Sequence, residues 1–264
     1  MARSVMAGLI PVIGLGAAGY AAMPATTTVK YRIESKSEQV VDLSGMGQGS
    51  QTTALNQTAL ITMTLTDTVG GKVMHVVVDS IASDAPVLDP SMDPSKAKGA
   101  WLHGIVDAWG RTTIVKTSAD SMLAVAQLKN TFARFLPVIK PGAKSGDTWV
   151  DTAKVDSKTA INAMKTTTVT TFTHGPAESR NGVAGFLIQA ASTTTGAGTM
   201  ENPMAGTMDV ELSSTGKETY FVAQDGRYLG GMSSANAKST IRVAMSPDPI
   251  PVTVTSSVTV SVVK

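Results

Sequence analysis

Near the C-terminus Val252, Val254, Val258, Val260 and Val262 alternate with Thr253, Thr255, Ser257, Thr259 and Ser261. Successive side chains of a strand point to opposite faces, so this run has one apolar face and one hydroxyl face. An antiparallel sheet packed on one side accommodates both. Ala59, Ile61, Met63 and Leu65 alternate in the same way with Leu60, Thr62, Thr64 and Thr66. The branched Cβ of Val and Thr stiffens χ1 and suits a pleated surface. A mainly β fold built from antiparallel sheets follows.

Turn signals punctuate the chain at Gly70-Gly71, Trp109-Gly110, Gly175-Pro176, Asn181-Gly182 and Asp225-Gly226. Asn-Gly and Asp-Gly between apolar runs are hairpin cues, because both turn positions need positive φ. Strands are predicted near 28–41, 57–67, 72–81, 101–108 and 111–117, and again near 160–173, 183–194, 205–213, 217–223, 226–234, 237–245 and 252–262. Between the two sets, Ser118 caps a helix predicted over Ala119 to Leu136, where Met122, Val125, Leu128, Phe132 and Phe135 recur at helical spacing before Pro137. This apolar stripe is expected to lie on a sheet face. Residues 27–117 make a first β unit, 118–150 a helix and connector, and 151–264 a second β unit. Whether the two units form one sandwich-like body or two similar lobes stays open.

The N-terminus has a different character. Between Arg3 and Lys30 lie 26 residues without a charge, and Val5 to Ala22 is almost continuously apolar. A basic start, an apolar stretch and small residues beyond it form an export signal or membrane anchor over 1–26. As a helix, the apolar stretch reaches about 27 Å, close to the roughly 30 Å of a bilayer core. Val5, Leu9, Ile10, Val12, Ile13 and Leu15 are the candidate anchor residues. Gly14-Leu15-Gly16-Ala17-Ala18-Gly19 matches a dinucleotide-binding turn, but Met23-Pro24 and a threonine run follow it instead of a βαβ unit. The expected location is periplasmic or otherwise extracytoplasmic, at a membrane.

Composition removes several classes of function. The chain of 264 residues has no cysteine, which excludes disulfides, thiol catalysis and cysteine-ligated metals. A net charge of +2 with scattered Lys and Arg lacks the basic stripe that nucleic acid requires. Charged residues are 16% of the chain, below the roughly 25% of soluble domains, which suits a surface covered by partners.

Catalytic and metal signals are sparse. His103 and Asp107 share a strand face and form the best hydrolytic pair, while His75 and His174 fit structural roles. Asp84, Asp89 and Asp93 offer oxygens at intervals that match no calcium loop. No catalytic residue, metal ligand or cofactor is assigned. Candidate partner contacts are Met46, Met92, Met200 and Met204, placed by their Gly- and Pro-rich surroundings in long loops where a flexible thioether adapts to another surface.

Two functions fit. One is a non-catalytic accessory subunit that clamps other subunits of a membrane complex. The other is a periplasmic carrier holding a lipid or other apolar molecule in a β-sheet cavity closed by the helix. The cysteine-free layout, with an apolar N-terminus, Thr/Val-rich sheets and a single helix, resembles exported β proteins that serve as extrinsic subunits of a phototrophic bacterial reaction centre and its light-harvesting ring. That resemblance implies reaction-centre and antenna chains as partners and no pigment ligation by this chain.

Overall fold

A computed structural model describes residues 25–84, 93–118, 123–158, 162–180, 182–202, 206–243 and 248–263. The anchor residues Val5, Leu9, Ile10, Val12, Ile13 and Leu15 lie outside these, as do Met92 and Met204.

The alternation becomes a single antiparallel sheet of 11 strands. The first five are β1 (Thr26–Asp42), β2 (Ser50–Thr68), β3 (Gly71–Ser83), β4 (Trp101–Asp107) and β5 (Thr112–Thr117). After the helix α1 (Leu123–Phe132) come β6 (Thr148–Lys158), β7 (Asn162–Arg180), β8 (Val183–Asn202), β9 (Gly206–Ala223), β10 (Tyr228–Val243) and β11 (Ile250–Val262). The spatial order is β5-β4-β3-β2-β1-β11-β10-β9-β8-β7-β6. Each predicted β unit is thus a contiguous meander, and β1 pairs with β11 to fuse the two into one sheet. The strands nearest the two ends of the chain meet in the middle of the sheet, and the middle of the chain supplies its edges.

Several strands run longer than their sequence signals. The predicted pairs 205–213 and 217–223, and 226–234 and 237–245, are each one strand, β9 and β10. The Gly-rich stretch from Gly196 continues β8 instead of forming a loop, and residues 50–53 begin β2. A Cβ on Gly198 would collide with the backbone at Ala163 and Met164 of β7, so this glycine permits close approach of strands and breaks nothing. Gly175-Pro176 is a bulge within β7, where the register shifts between His174 and Ala177 because proline cannot donate to the ladder. β6 was not predicted: it runs from the end of the expected connector into the second β unit, ahead of the first strand expected there near 160.

The apolar face turns inward. Tyr31, Ile61, Met63, Met74, Val76, Leu102, Ile188 and Val222 are almost fully buried, and they lie on β1, β2, β3, β4, β8 and β9. α1 and the turn after it fill the concavity. Val125 and Phe132 are 0% exposed, and Phe135 and Leu136 are also buried. Phe135 packs edge-on against Tyr31 and Tyr228 at centroid distances of 5.3 and 5.5 Å. The Tyr31 hydroxyl donates to the Tyr228 carbonyl at 2.7 Å, which satisfies a polar atom within this core. The helix ends at Phe132, four residues before the predicted Leu136, and the apolar stripe continues through a turn.

The outer face is polar. On β1 it carries Lys30, Arg32, Glu34, Lys36 and Glu38 in succession, all exposed. On β11 it carries the hydroxyls of Thr253, Thr255, Ser257, Thr259 and Ser261.

Candidate functional site

The two edge strands are too far from pairing to close the sheet, and side chains bridge them at one end. The Arg111 guanidinium, in the turn before β5, reaches Asp151 of β6 through Nε at 2.8 Å and Nη2 at 2.7 Å. This hydrogen bond, with the charges of Asp151 and Asp107, holds the guanidinium above its usual range. Ile139 N donates to the Trp109 carbonyl at 2.6 Å, and Trp149 Nε1 donates to the Val138 carbonyl at 3.2 Å. Gly110 sits at φ +86° where a Cβ would strike the Pro137 carbonyl, so only glycine lets the segment after α1 cross this seam. The result is a trough rolled around α1.

Three hollows surround the helix. The first, about 160 Å³, lies between Leu128 and Phe132 of α1 and the apolar wall of Ile33, Ile61, Val78 and Ile81. The second, about 180 Å³, shares Thr131 and Val258 with the first and extends past Phe135, Tyr228 and Val260. The third, about 290 Å³, shares Arg134, Glu218 and Tyr220 with the second and opens at the seam by Arg111 and Asp151. The third alone lies close to the lower bound of the roughly 300–1,000 Å³ of small-molecule sites, and any two neighbours together exceed that bound.

Polarity changes along this run. The first hollow is chiefly apolar. At the second and third, Arg134 Nη1 donates to Thr168 Oγ1 at 3.2 Å, and Thr168 also bonds Thr194 at 2.8 Å. Glu218 points inward from β9 and accepts from the Tyr220 hydroxyl. Burial pushes the Glu218 carboxyl above its ordinary range, opposed by the charge of Arg134. Burial also raises the Tyr228 phenol well above its ordinary range, with Tyr31 and Glu218 adding to the effect.

Sequence reasoning did not single out Arg134, Glu218 or Tyr220. The signal is a parity violation. Glu218 occupies the inward register of Tyr220 and Val222, so a charged residue stands on the apolar side of the alternation.

The sequence candidates fall elsewhere. Met46 ends a 3₁₀ turn after β1 and is 46% exposed. Met200 lies within β8, opposite Met208 of β9, and not in the expected loop. Both are at the same end of the sheet, but β11, β10 and β9 separate their strands. Asp107 does not pair with His103. Its Oδ1 accepts from the Trp109 and Arg111 amides at 2.8 and 2.9 Å, fixing the β4–β5 turn. His103 instead packs at a tilt of 36° against His75 of β3, with ring centroids 4.5 Å apart. Asp84 accepts from Asn56, and Asp93 caps a 3₁₀ turn through the Ser95 amide. Among the described residues no three His, Asp or Glu side chains are grouped to hold a metal ion.

No family model matches this sequence, and no curated protein is significantly similar to it. Among solved structures, a triple mutant of the Rhodopseudomonas blastica porin is similar at 11% identity and a TM-score of 0.29, over 89% of this chain and 100% of the porin. A second mutant of that porin gives 10% identity and a TM-score of 0.29 over the same shares. The Vibrio cholerae outer membrane protein OmpT gives 5% identity and a TM-score of 0.17, over 89% of this chain and 97% of its own. These likenesses fall short of a shared fold.

Proposed function

We propose that this chain is a non-catalytic, extracytoplasmic binding protein that carries a lipid or other apolar molecule between α1 and the concave face of its sheet. The observation behind this reading is the apolar hollow between Leu128, Phe132 and the wall of Ile33, Ile61 and Val78, which is followed around the helix by two neighbouring hollows. A scaffold with no binding role gains nothing from unfilled space in its core, because voids forfeit dispersion contacts. The helix acts as the lid, held by Val125, Phe132 and Phe135.

Any membrane contact comes from the apolar N-terminal segment and not from the strands. A sheet crossing lipid presents an apolar band about 25 Å tall. From Lys30 to Glu38 the outer register of β1 is charged at every position for about 27 Å, which spans that band.

The test is uptake of an environment-sensitive apolar fluorophore by the full chain, with Val258→Phe as the blocking variant. Val258 lines both the first and second hollows. Uptake by the wild type, and its loss in a Val258→Phe protein with an unchanged circular dichroism spectrum, is the expected result. A wild type that takes up no probe defeats the carrier reading.

A second reading, the accessory subunit that clamps a membrane complex, draws on the outer face near the β5 edge. There Val73, Ile105 and Val115 are 44%, 54% and 63% exposed, with Val73 opposite Ile105 across the β3–β4 pair. Exposed apolar groups of this kind mark contact surfaces when they cluster. The layout resemblance makes a reaction-centre and light-harvesting complex the specific partner for that reading. Stoichiometric co-purification with membrane subunits, lost on Ile105→Lys, would support it over the carrier.

A further inference from the structure

Arg134 and Glu218 line the same two hollows, Arg134 from the turn after α1 and Glu218 from the inward register of β9. Each is engaged by a neutral hydroxyl: Arg134 by Thr168, and Glu218 by Tyr220. Among the described residues no ion pair within 4.0 Å joins them. Two opposite charges therefore face a common space without closing it. Glu218 is drawn partly out of water with a hydroxyl as its hydrogen-bond partner, and the charge of Arg134 offsets only part of the effect of burial, so a further cation brought beside it relieves the rest. A guanidinium with donors to spare is matched to the oxygens of a phosphate or carboxylate.

The apolar hollow beneath α1 adjoins this charged junction, since Thr131 and Val258 line both. Tail space and head space thus belong to one run. Hydroxyls of Thr170 and Ser233 line the head end and supply neutral partners for ester and phosphate oxygens.

We infer that the ligand is a zwitterionic amphiphile, whose apolar chain lies beneath α1, whose anionic group is held by Arg134 and whose ammonium group is held by Glu218. This deepens the carrier reading and rests on it. A purely anionic amphiphile leaves the Glu218 carboxyl unpaired and adds a like charge beside it. A purely cationic one does the same to Arg134.

The experiment is competition against the bound fluorophore on the full chain, using four amphiphiles of one chain length. These are a lysophosphatidylethanolamine, a lysophosphatidylglycerol, an alkylammonium and a monoacylglycerol. The zwitterion is expected to displace the probe at about tenfold lower concentration than each of the others, the scale of one charge-assisted bond. Glu218→Gln, which keeps the shape and an acceptor for Tyr220, is expected to erase the advantage over the lysophosphatidylglycerol. Arg134→Gln is expected to erase the advantage over the alkylammonium. Equal displacement by all four, or a preference for either singly charged head, overturns the inference while leaving the carrier reading intact. Failure of the wild type to take up the fluorophore removes the carrier reading, and this inference with it. If either variant does not fold, the ranking on the wild type alone decides.

Discussion

Phe132→Ala is the perturbation that bears most directly on how the helix and the sheet are joined. Phe132 is the last residue of α1, is 0% exposed and packs against Phe135 at a centroid distance of 5.4 Å. Burial of a large apolar side chain contributes about 1.5–3 kcal/mol, and an unfilled cavity adds about 24 cal/mol per Å³. Phe132 already borders a hollow of about 160 Å³, so collapse of its neighbours into the vacated space requires α1 to move. The loss is therefore expected at about 4 kcal/mol, a large share of the roughly 5–15 kcal/mol of a folded domain. Urea unfolding followed by tryptophan fluorescence reads it as a lower midpoint at unchanged slope. Trp149 reports on the helix side, because its indole bonds Val138 beyond α1. The enlarged hollow also predicts rescue: an apolar ligand at about 100 times its Kd restores about 2.7 kcal/mol. A loss under about 1 kcal/mol would refute the claim that this ring fastens α1 to the concave face. A full loss without any rescue would refute the hollow as a ligand site.

Other perturbations test separate parts of the reasoning. Arg111→Ala is expected to cost about 1 kcal/mol and the cost should shrink in high salt, since the Asp151 pair that ties the edges is only partly buried; a salt-independent effect would locate its role in packing on Trp109. Gly198→Val is expected to cost about 3 kcal/mol or more by forcing β7 and β8 apart, measured by thermal unfolding against a mild Ala197→Val control on the exposed face. His75 titrates below the ordinary histidine value of about 6.5, because burial and the neighbouring His103 both disfavour its charged form. The unfolded chain then binds that proton first, so stability is full above about pH 6.5 and declines as the pH falls below it. His75→Phe should flatten that part of the profile, and an unchanged slope would assign the dependence to other groups.

The period of the side chains carried most of the fold. Val252 to Val262 and Ala59 to Leu65 specify which face is apolar, and the structure buries that face. The hairpins at Gly70, Gly110 and Gly226 are likewise local, since each adopts positive φ. The fusion of the two meanders was not local. Pairing of β1 with β11 joins residues about as far apart as the chain allows, and no turn signal reports it. The long strands were hidden for another reason. Gly196, Gly198 and Gly216 read as breakers, yet their lack of a Cβ serves close packing against neighbouring strands. The methionines illustrate the converse error, because a loop assigned by composition placed Met200 outside the strand that holds it. The head end of the hollows is composed of Arg134, Glu218 and Tyr220, which come from two separate elements. Only the inward parity of Glu218 marked it beforehand.

Why the sheet stays open follows from the sizes of its inward side chains. Around α1 the concave face carries Tyr31, Ile61, Met63, Phe172 and Tyr220, large enough to meet the helix and fill the curve. Further along the same strands the inward register changes to Ser35 and Ser37 on β1, Ser192 and Thr194 on β8, and Ser214 on β9. These short side chains cannot reach across a trough, so this stretch of the wall is half-exposed; beyond it Met208 and Val210 of β9 and Val252 of β11 return the inward register to buried apolar residues. The edges diverge over the same region: β5 ends after 6 residues, while β6 continues for 11. Lys154, Asp156 and Lys158 on the protruding part of β6 discourage another strand from adding there. The apolar pocket under the helix therefore borders a band of hydroxyls, with Ser35 in its own lining, while Arg134 and Glu218 line the two hollows beside it. For a molecule with a greasy tail and a charged head, that sequence of environments matches its own polarity from end to end.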